Sequence, residues 1–336
     1  MTEDQTKRQQ EQIQLLRQLR LAVQQEDFVS AMECFQRLAQ LAHENGDLGA
    51  EGRHLGNLAL LYYRLNQPDV ALHYFANALE LARQDEDQLT QSGLLGNIGN
   101  IQRELRRFDT AIANLSEALR IANEREDVRG RGIWLGNLAL VFDDLRQVEE
   151  ALTCHQESVQ IARDLRDKRG LASRLANMGN TYVSKGDPVT AIPCFEEAVT
   201  LYEELGETRA LAASLGMLAN LHSVLGQVTT DPTERNNHQI AVLGLCIRAL
   251  MLAQQNRDSV SEARLRVDIG DAQLALGQYD RAIEHYDVAA QLFTQLGQPA
   301  LNEEMRKRLA LALYRRNQAV DAARIKDNRA DSVETS

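Results

Sequence analysis

One tetrapeptide returns along this sequence at a fixed interval. Leu-Gly-Asn-hydrophobe begins at Leu55, Leu95 and Leu135, and a fourth copy, with alanine in place of glycine, begins at Leu175. A fixed period of this size is typical of stacked supersecondary units, each of which packs mainly on its neighbours. The chain is therefore expected to form one elongated array rather than a conventional globular core.

Each repeat predicts two helices joined by a short break. Asp47 is a candidate N-cap of the first helix. Glu207 substitutes once in a column that is otherwise aspartate, at Asp87, Asp127, Asp167 and Asp258. The break follows at residues 66–69, where Pro68 suits the start of a helix. In the second helix apolar residues recur at steps of three and four, the period of one buried face, at Ala71, Phe75, Ala78, Leu79 and Ala82.

Small residues indicate how the helices pack. One column of the first helix contains only alanine and glycine, at Ala59, Gly99, Ala139, Gly179 and Ala219. Small side chains let two helices approach closely. We therefore expect large residues of one helix to pack against small residues of the other.

The pattern Gly-Asn-Leu-Ala-x-x-Tyr-x-x-Leu-x-x-x-x-x-Ala-Leu-x-x-Phe-x-x-Ala-Leu at residues 56–79 resembles a tetratricopeptide repeat. The 40-residue spacing is similar to the long-repeat variety of the Pins/LGN proteins and kinesin light chains. The resemblance covers most of residues 10–324. It implies an all-α fold, a right-handed α-solenoid superhelix of about eight antiparallel helix pairs.

The repeats predict a single solenoid over residues 1–325. Its parts are an N-terminal helix pair at 8–45, regular repeats at 47–206, a repeat with an inserted loop at 207–257, a repeat at 258–297 and capping helices at 300–325. The insertion of 11 residues falls at 228–239, a stretch rich in Thr, Asn and Pro that is expected to be a loop or a helix extension. The polar residues 326–336 are expected to be disordered.

Composition disfavours several classes of function. A net charge of −11 disfavours binding to nucleic acid. The sequence has no apolar stretch of the length that membrane insertion requires and no apolar signal core, which favours the cytoplasm. The cysteines are far apart, as in a reducing compartment, at Cys34, Cys154, Cys194 and Cys246. No catalytic motif occurs, so we expect neither an enzyme nor a cofactor or metal site.

The asparagines form the candidate site. Asparagine has poor helix propensity, yet it recurs in the middle of the first helix, at Asn57, Asn97, Asn137 and Asn177. A second column lies three residues on, on the same helix face, at Asn100, Asn180 and Asn220. The resemblance implies that these columns line the concave groove, as a similar ladder does in the O-linked glycosaminyl transferases. Carboxamides could then bind the main chain of an extended peptide; alternatively, they bridge neighbouring helices.

Glycines beside this ladder would leave room for a ligand backbone, at Gly56, Gly96, Gly136 and Gly216. Trp134, the single tryptophan, is expected to pack between repeats rather than to bind a ligand. Arginines flanking the ladder predict a ligand with acidic residues, at Arg53, Arg64 and Arg103. The adjacent acids Asp143 and Asp144 are expected to be ordinary solvated charges.

The leading hypothesis is a non-enzymatic adaptor that captures a protein or peptide in its groove. One alternative, which resembles the bacterial peptide-pheromone receptors, is a regulatory module in which peptide binding switches a partner. The other is a self-assembling scaffold, because the apolar face of residues 13–23 needs burial. A homo-oligomer is therefore possible.

Overall fold

The computed structural model describes the backbone of residues 3–334 and the side chains of residues 7–322. Over that range the protein consists of 15 α-helices and has no strand. The helices are α1 (Glu3–Gln24), α2 (Phe28–Glu44), α3 (Leu48–Arg64), α4 (Pro68–Gln84), α5 (Gln88–Glu104), α6 (Phe108–Glu124), α7 (Val128–Asp144), α8 (Val148–Asp164), α9 (Lys168–Lys185), α10 (Pro188–Leu205), α11 (Thr208–Val228), α12 (Pro232–Gln255), α13 (Ser259–Ala275), α14 (Tyr279–Gln295) and α15 (Pro299–Glu334). The all-α prediction is confirmed.

The chain divides into two compact units, Met1–Asp167 and Lys168–Ser336. The first unit contains α1 to α8 and the second contains α9 to α15. A single solenoid over residues 1–325 was predicted. Because each helix pair of a repeat array packs mainly on its neighbours, the repeat pattern alone does not say where such an array divides.

In the first unit each sequence repeat forms two helices, and short connections of regular length join them. Helices α3 to α8 each have 17 residues. The connections between them are three residues long. The middle residue of each has a left-handed backbone and is never glycine, with φ between 54° and 61° at Asn66, Glu86, Arg106, Glu126 and Arg146. The geometry of the connection is therefore set by the helices on either side and not by glycine.

Aspartates begin the helices as predicted. The carboxylate of Asp47 accepts a hydrogen bond from the backbone N–H of Ala50 at 2.8 Å. The equivalent bonds of Asp87, Asp127 and Asp258 are 2.9 to 3.0 Å long. Glu207 takes the N-cap position of α11 as predicted, but its side chain makes no capping bond. Glutamate is one methylene longer than the aspartate that caps elsewhere and is not among the preferred N-cap residues.

Large residues pack on small ones within each helix pair, as predicted. A Cβ on Gly99 of α5 would lie 2.6 Å from Cγ of Leu115 on α6. A Cβ on Gly179 would lie 2.7 Å from the ring of Phe195, and one on Gly270 would lie 2.6 Å from the ring of Tyr286. Glycine at these positions is what allows the two helices to approach.

The insertion extends two helices rather than forming a loop. Helix α11 has 21 residues and α12 has 24, against 17 in a regular helix, so the two extensions are of four and seven residues. The connection between α11 and α12 keeps the regular length of three residues. Across the extension, Nδ1 of His222 lies 3.0 Å from Nδ1 of His238. Of the two alternatives for residues 228–239, the loop is therefore wrong and the helix extension is correct, since these Thr- and Asn-rich residues are mostly helical.

The last helix also differs from the prediction. A pair of capping helices was expected at 300–325, but α15 is one continuous helix from Pro299 to Glu334. No glycine or proline interrupts the sequence after Pro299, which permits an unbroken helix. The backbone of residues 326–334, predicted to be disordered, belongs to α15. Residues 335 and 336 of that tail lie outside the described residues.

Helix α11 is long and apolar enough by composition to cross a membrane, the single such helix among the described residues, whereas no such stretch was expected from the sequence. It packs against α10 and α12 within the second unit. Leu211, Leu215, Leu218 and Leu221 are buried there, as in the core helix of a globular unit.

Candidate functional site

The first unit contains a groove between successive first helices, which we call the amide groove. It consists of two adjoining cavities of about 300 Å³ and 220 Å³ that share Leu60, Phe75 and Asn97. The larger cavity is also lined by Gly52, Arg53, Gly56, Asn57, Thr90, Gly93 and Leu94. The smaller is also lined by Tyr63, Asn100, Ile101, Arg103, Glu104, Asn137 and Leu140. Helices α3, α5 and α7 therefore form its walls, and Phe75 of α4 lies at its floor.

The amide groove brings together four of the predicted asparagines. Asn57 is exposed, and Asn97, Asn100 and Asn137 are half-buried. In the part of the chain that the structure describes, none of these carboxamides makes a hydrogen bond to another residue. The alternative in which they bridge neighbouring helices therefore has no hydrogen bond to support it. Each carboxamide has two N–H donors and an acceptor oxygen available to a ligand in the groove.

The remaining asparagines belong to the second unit. Asn177 is half-buried and Asn180 is exposed, both on α9. Asn220 of α11 is exposed and lines a separate cavity of about 320 Å³. The two columns of asparagines are therefore divided between the two compact units.

Two of the glycines beside the ladder do not leave room for a ligand backbone. A Cβ on Gly56 would lie 3.1 Å from Cδ2 of Leu94, and a Cβ on Gly96 would lie 2.1 Å from Cζ3 of Trp134. The space above each of these glycines is thus occupied by a side chain of the following repeat. The prediction for Gly56 and Gly96 is wrong, since a missing side chain cannot by itself show what fills the space. At Gly216 of the second unit, by contrast, a Cβ would meet no heavy atom within 4 Å.

Trp134 packs between repeats, as predicted. Its ring contacts the buried clusters around α5 and α6, and its indole Nε1 donates a hydrogen bond to Oγ of Ser92 at 2.9 Å. The Ser92 hydroxyl in turn donates to the carbonyl of Ala118 at 3.0 Å. This chain of bonds connects α7, α5 and α6 behind the wall of the amide groove.

The predicted arginines differ in their surroundings. Arg53 lines the larger cavity and is exposed. Arg103 lines the smaller cavity, but its Nε lies 3.5 Å from a carboxylate oxygen of Asp144. Arg64 lies in the last turn of α3, outside the linings of both cavities. Among the described residues, Arg53 is therefore the one arginine of the groove that has no protein carboxylate within ion-pair distance.

The acids Asp143 and Asp144 are not simply solvated. Asp144 pairs with Arg103, and Oδ2 of Asp143 lies 3.0 Å from Nε2 of His155, a fully buried histidine. The prediction failed because neither partner is a neighbour in the sequence. His155 belongs to the helix after that of Asp143, and Arg103 belongs to the repeat before that of Asp144.

Sequence reasoning missed Tyr63 and Glu104 in the smaller cavity. The Tyr63 hydroxyl donates a hydrogen bond to Oε1 of Glu104 across α3 and α5. Burial, followed by this carboxylate, raises the pKa of Tyr63 to about 12, so the phenol remains a donor. The only signal in the sequence was that the residue type changes at equivalent positions of successive repeats, from Tyr63 to Arg103 to Asp143.

Successive helix pairs of this length, in which large side chains pack on small ones, define an α-helical repeat protein. Tetratricopeptide-repeat models match residues 55–89, 90–164, 172–205 and 267–334. The chain belongs to the tetratricopeptide-repeat family.

Solved structures share this fold. BtubC (BKLC) from P. vanneervenii is 21% identical with a TM-score of 0.57, over 72% of this chain and 92% of that one. A Rap protein complexed with competence and sporulation factor is 15% identical with a TM-score of 0.52, over 92% and 99%. The apo form of the quorum sensor NprR from B. thuringiensis is 19% identical with a TM-score of 0.55, over 90% and 87%. Among curated proteins no match is found.

Proposed function

We propose that this protein is a non-enzymatic cytoplasmic adaptor that binds an extended peptide, or the tail of a partner protein, in the amide groove. One observation carries the proposal: Asn57, Asn97, Asn100 and Asn137 line a single groove, and their carboxamides have no hydrogen-bond partner among the described residues. Asparagine in the middle of a helix is unfavourable relative to alanine. Hydrogen bonds from a ligand to the carboxamides would account for asparagine at these positions.

An extended peptide matches the chemistry of this groove. Its main chain alternates N–H donors and carbonyl acceptors, and a carboxamide can bind either group. Leu60, which is 39% exposed, and Leu140 provide apolar surface beside the asparagines. Main-chain hydrogen bonds would supply affinity, and the apolar contacts would select side chains. Arg53 is the residue expected to contact an acidic residue of the peptide.

The structural neighbours support this class of ligand. The Rap structure is a complex with competence and sporulation factor, and NprR is described as a quorum sensor. Both share only the fold with this chain, so the likeness suggests the kind of ligand and not its identity.

The test is a selection of peptides from a display library on the immobilised full-length protein. Peptides enriched by the wild type are then measured against Asn97→Ala/Asn137→Ala by fluorescence anisotropy. We expect a loss of affinity of at least tenfold. The matched control is Asn77→Ala/Asn123→Ala, which removes two exposed asparagines from the second helices α4 and α6.

Each outcome has a defined meaning. Equal binding by both variants would contradict the proposal and place the site elsewhere. A groove variant with a clearly lower melting temperature than the control would indicate that the asparagines stabilise the fold instead. A loss of binding at unchanged helical circular dichroism and melting would support the amide groove.

Self-assembly is the second candidate, because one apolar face is exposed. Ile13 and Leu16 of α1 are 47% and 46% exposed, and Val23 is 58% exposed. Light scattering over a concentration series tests this candidate. A mass that rises with concentration in the wild type, and not in Ile13→Gln/Leu16→Gln, would favour an assembling scaffold over a monomeric adaptor.

A further inference from the structure

The second unit has a cavity at which carboxylates replace the asparagines of the ladder. Once the insertion is allowed for, Asp268 is one repeat beyond Met217, and Asp271 is one repeat beyond Asn220. Asp268 thus occupies the column of Asn97, and Asp271 occupies the column of Asn100.

This cavity of about 320 Å³ lies between α11 and α13, with α12 at its floor. Its polar lining comes from three helices. Asn220 and Ser223 belong to α11, Gln239 belongs to α12, and Asp268 and Asp271 belong to α13. The lining therefore contains two carboxylates together with neutral oxygen acceptors.

The two carboxylates have different surroundings. Asp271 accepts a hydrogen bond from the Tyr286 hydroxyl at 2.6 Å and forms an ion pair with Arg308. Asp268 makes no hydrogen bond or ion pair with any residue of the described part of the chain, and it is open to solvent at the cavity. Partial desolvation of the carboxylate, and then the charge of Asp271, raise the pKa of Asp268 to about 6. Because Asp268 has no partner within the described residues, its carboxylate oxygens are available to a cation that enters the cavity.

We propose that this cavity binds an organic cation, the guanidinium or ammonium group of a ligand, with Asp268 as its counter-ion. A guanidinium has five N–H donors and no acceptor. The carboxylate of Asp268 and the side-chain oxygens of Asn220, Ser223 and Gln239 are acceptors of the matching kind. The described residues contain no group of three or more His, Cys, Asp or Glu side chains that could hold a metal ion, so an organic cation fits better than a divalent one.

The experiment is a titration of the full chain at pH 7.5 and low salt with N-acetyl-argininamide, and in parallel with its neutral isostere N-acetyl-citrullinamide. Binding is followed by calorimetry and by the NMR signals of the side-chain amides. We expect at least tenfold tighter binding of the arginine compound and shifts of the Asn220 and Gln239 amide signals. The preference should be lost in Asp268→Asn.

The matched control is Asp287→Asn, which removes an exposed carboxylate on α14. It should bind like the wild type. Asn97→Ala/Asn137→Ala should also bind like the wild type, because this site does not depend on the amide groove; the two proposals can therefore fail separately.

Several results would overturn the assignment. They are equal binding of the arginine and citrulline compounds, a preference that persists in Asp268→Asn, and shifts confined to residues outside the cavity. Competition by millimolar Mg²⁺ at constant ionic strength would also overturn it in favour of a metal site. The shifts in the wild type give a decision even if Asp268→Asn were to fold poorly.

Discussion

Gly93 and Gly96 lie three residues apart on α5, but an added methyl group would meet different surroundings at the two positions. A Cβ on Gly93 would have no heavy atom within 4 Å, whereas a Cβ on Gly96 would collide with the ring of Trp134. We expect Gly96→Ala to lower the free energy of unfolding by about 1–3 kcal/mol, the usual effect of overpacking. Gly93→Ala should raise it by up to about 1 kcal/mol, since alanine has the higher helix propensity. Chemical denaturation of the two variants provides the measurement.

The same pair tests the geometry of the repeat contact. Trp134 donates to Ser92, so Gly96→Ala should change the tryptophan emission spectrum of the native protein and Gly93→Ala should not. Two variants of equal stability would mean that Trp134 does not pack on α5.

Left-handed residues in the connections offer a second prediction. Glu126 has φ of 56°, which costs a residue with a Cβ about 1–2 kcal/mol. Glu126→Gly should relieve most of this strain, and the entropy of glycine in the unfolded chain should offset part of the gain. We expect a net stabilisation of about 0.5–1 kcal/mol. Gly186→Ala, at φ of 82°, is the reciprocal variant and should lower the melting temperature; a lower melting temperature for Glu126→Gly would contradict the reasoning.

Individual residues show what the sequence can and cannot predict. The asparagines of the first unit could be placed on one helix face from their spacing, and the resemblance to tetratricopeptide repeats implied that this face lines the groove. Arg103 finds its partner in Asp144, and the space at Gly96 is filled by Trp134, both on the first helix of the following repeat. Such contacts join adjacent repeats, so they depend on the geometry of the stack and not on the pattern within one repeat.

At the scale of the helix, the N-caps connect stability to pH. The Thr90 side chain and backbone N–H both donate to Asp87, and these bonds hold the pKa of Asp87 below its ordinary value of 3.8. A folded-state pKa below the unfolded value stabilises the protein above pH 3.8, and this contribution is lost as the pH falls through the folded-state pKa.

We therefore expect Asp87→Ala to lower the free energy of unfolding by about 1 kcal/mol at pH 7. The difference from the wild type should shrink as the pH falls below 3.8. Thermal melts between pH 7 and pH 3 measure both effects. Glu207→Ala, at the position without a side-chain capping bond, should have the smaller effect at pH 7; a larger effect than that of Asp87→Ala would contradict the role of the cap.

At the scale of the whole molecule, the division into two compact units predicts how the chain unfolds. The single tryptophan, Trp134, lies in the first unit, so its fluorescence reports on that unit, whereas far-ultraviolet circular dichroism reports on all helices. We expect the two urea transitions not to coincide, since a chain of two units need not unfold in one step. Gly96→Ala should shift the fluorescence midpoint. Coincident curves for the wild type and the variant would show one cooperative unit.

The class of fold was predictable because the repeat period, the aspartate caps and the small-on-large columns all indicate the same helix pairs. Three features of the fold were not predictable from the sequence. The division near residue 167 leaves no break in the repeat, α15 continues into a polar stretch that was expected to be disordered, and the polar composition of the insertion allowed a loop as well as a helix extension.

The lengths of the two extended helices have a further consequence. An α-helix has about 3.6 residues per turn, so the four residues added to α11 are slightly more than one turn and the seven added to α12 are slightly less than two. Whole turns leave the angular phase of a helix nearly unchanged, and Cys246 and Ala249, which follow the residues added to α12, therefore still face the core. An insertion of one or two residues would instead rotate everything beyond it by about 100° or 200° and turn the apolar face towards water. This array can thus change length in whole helical turns at little cost to its packing.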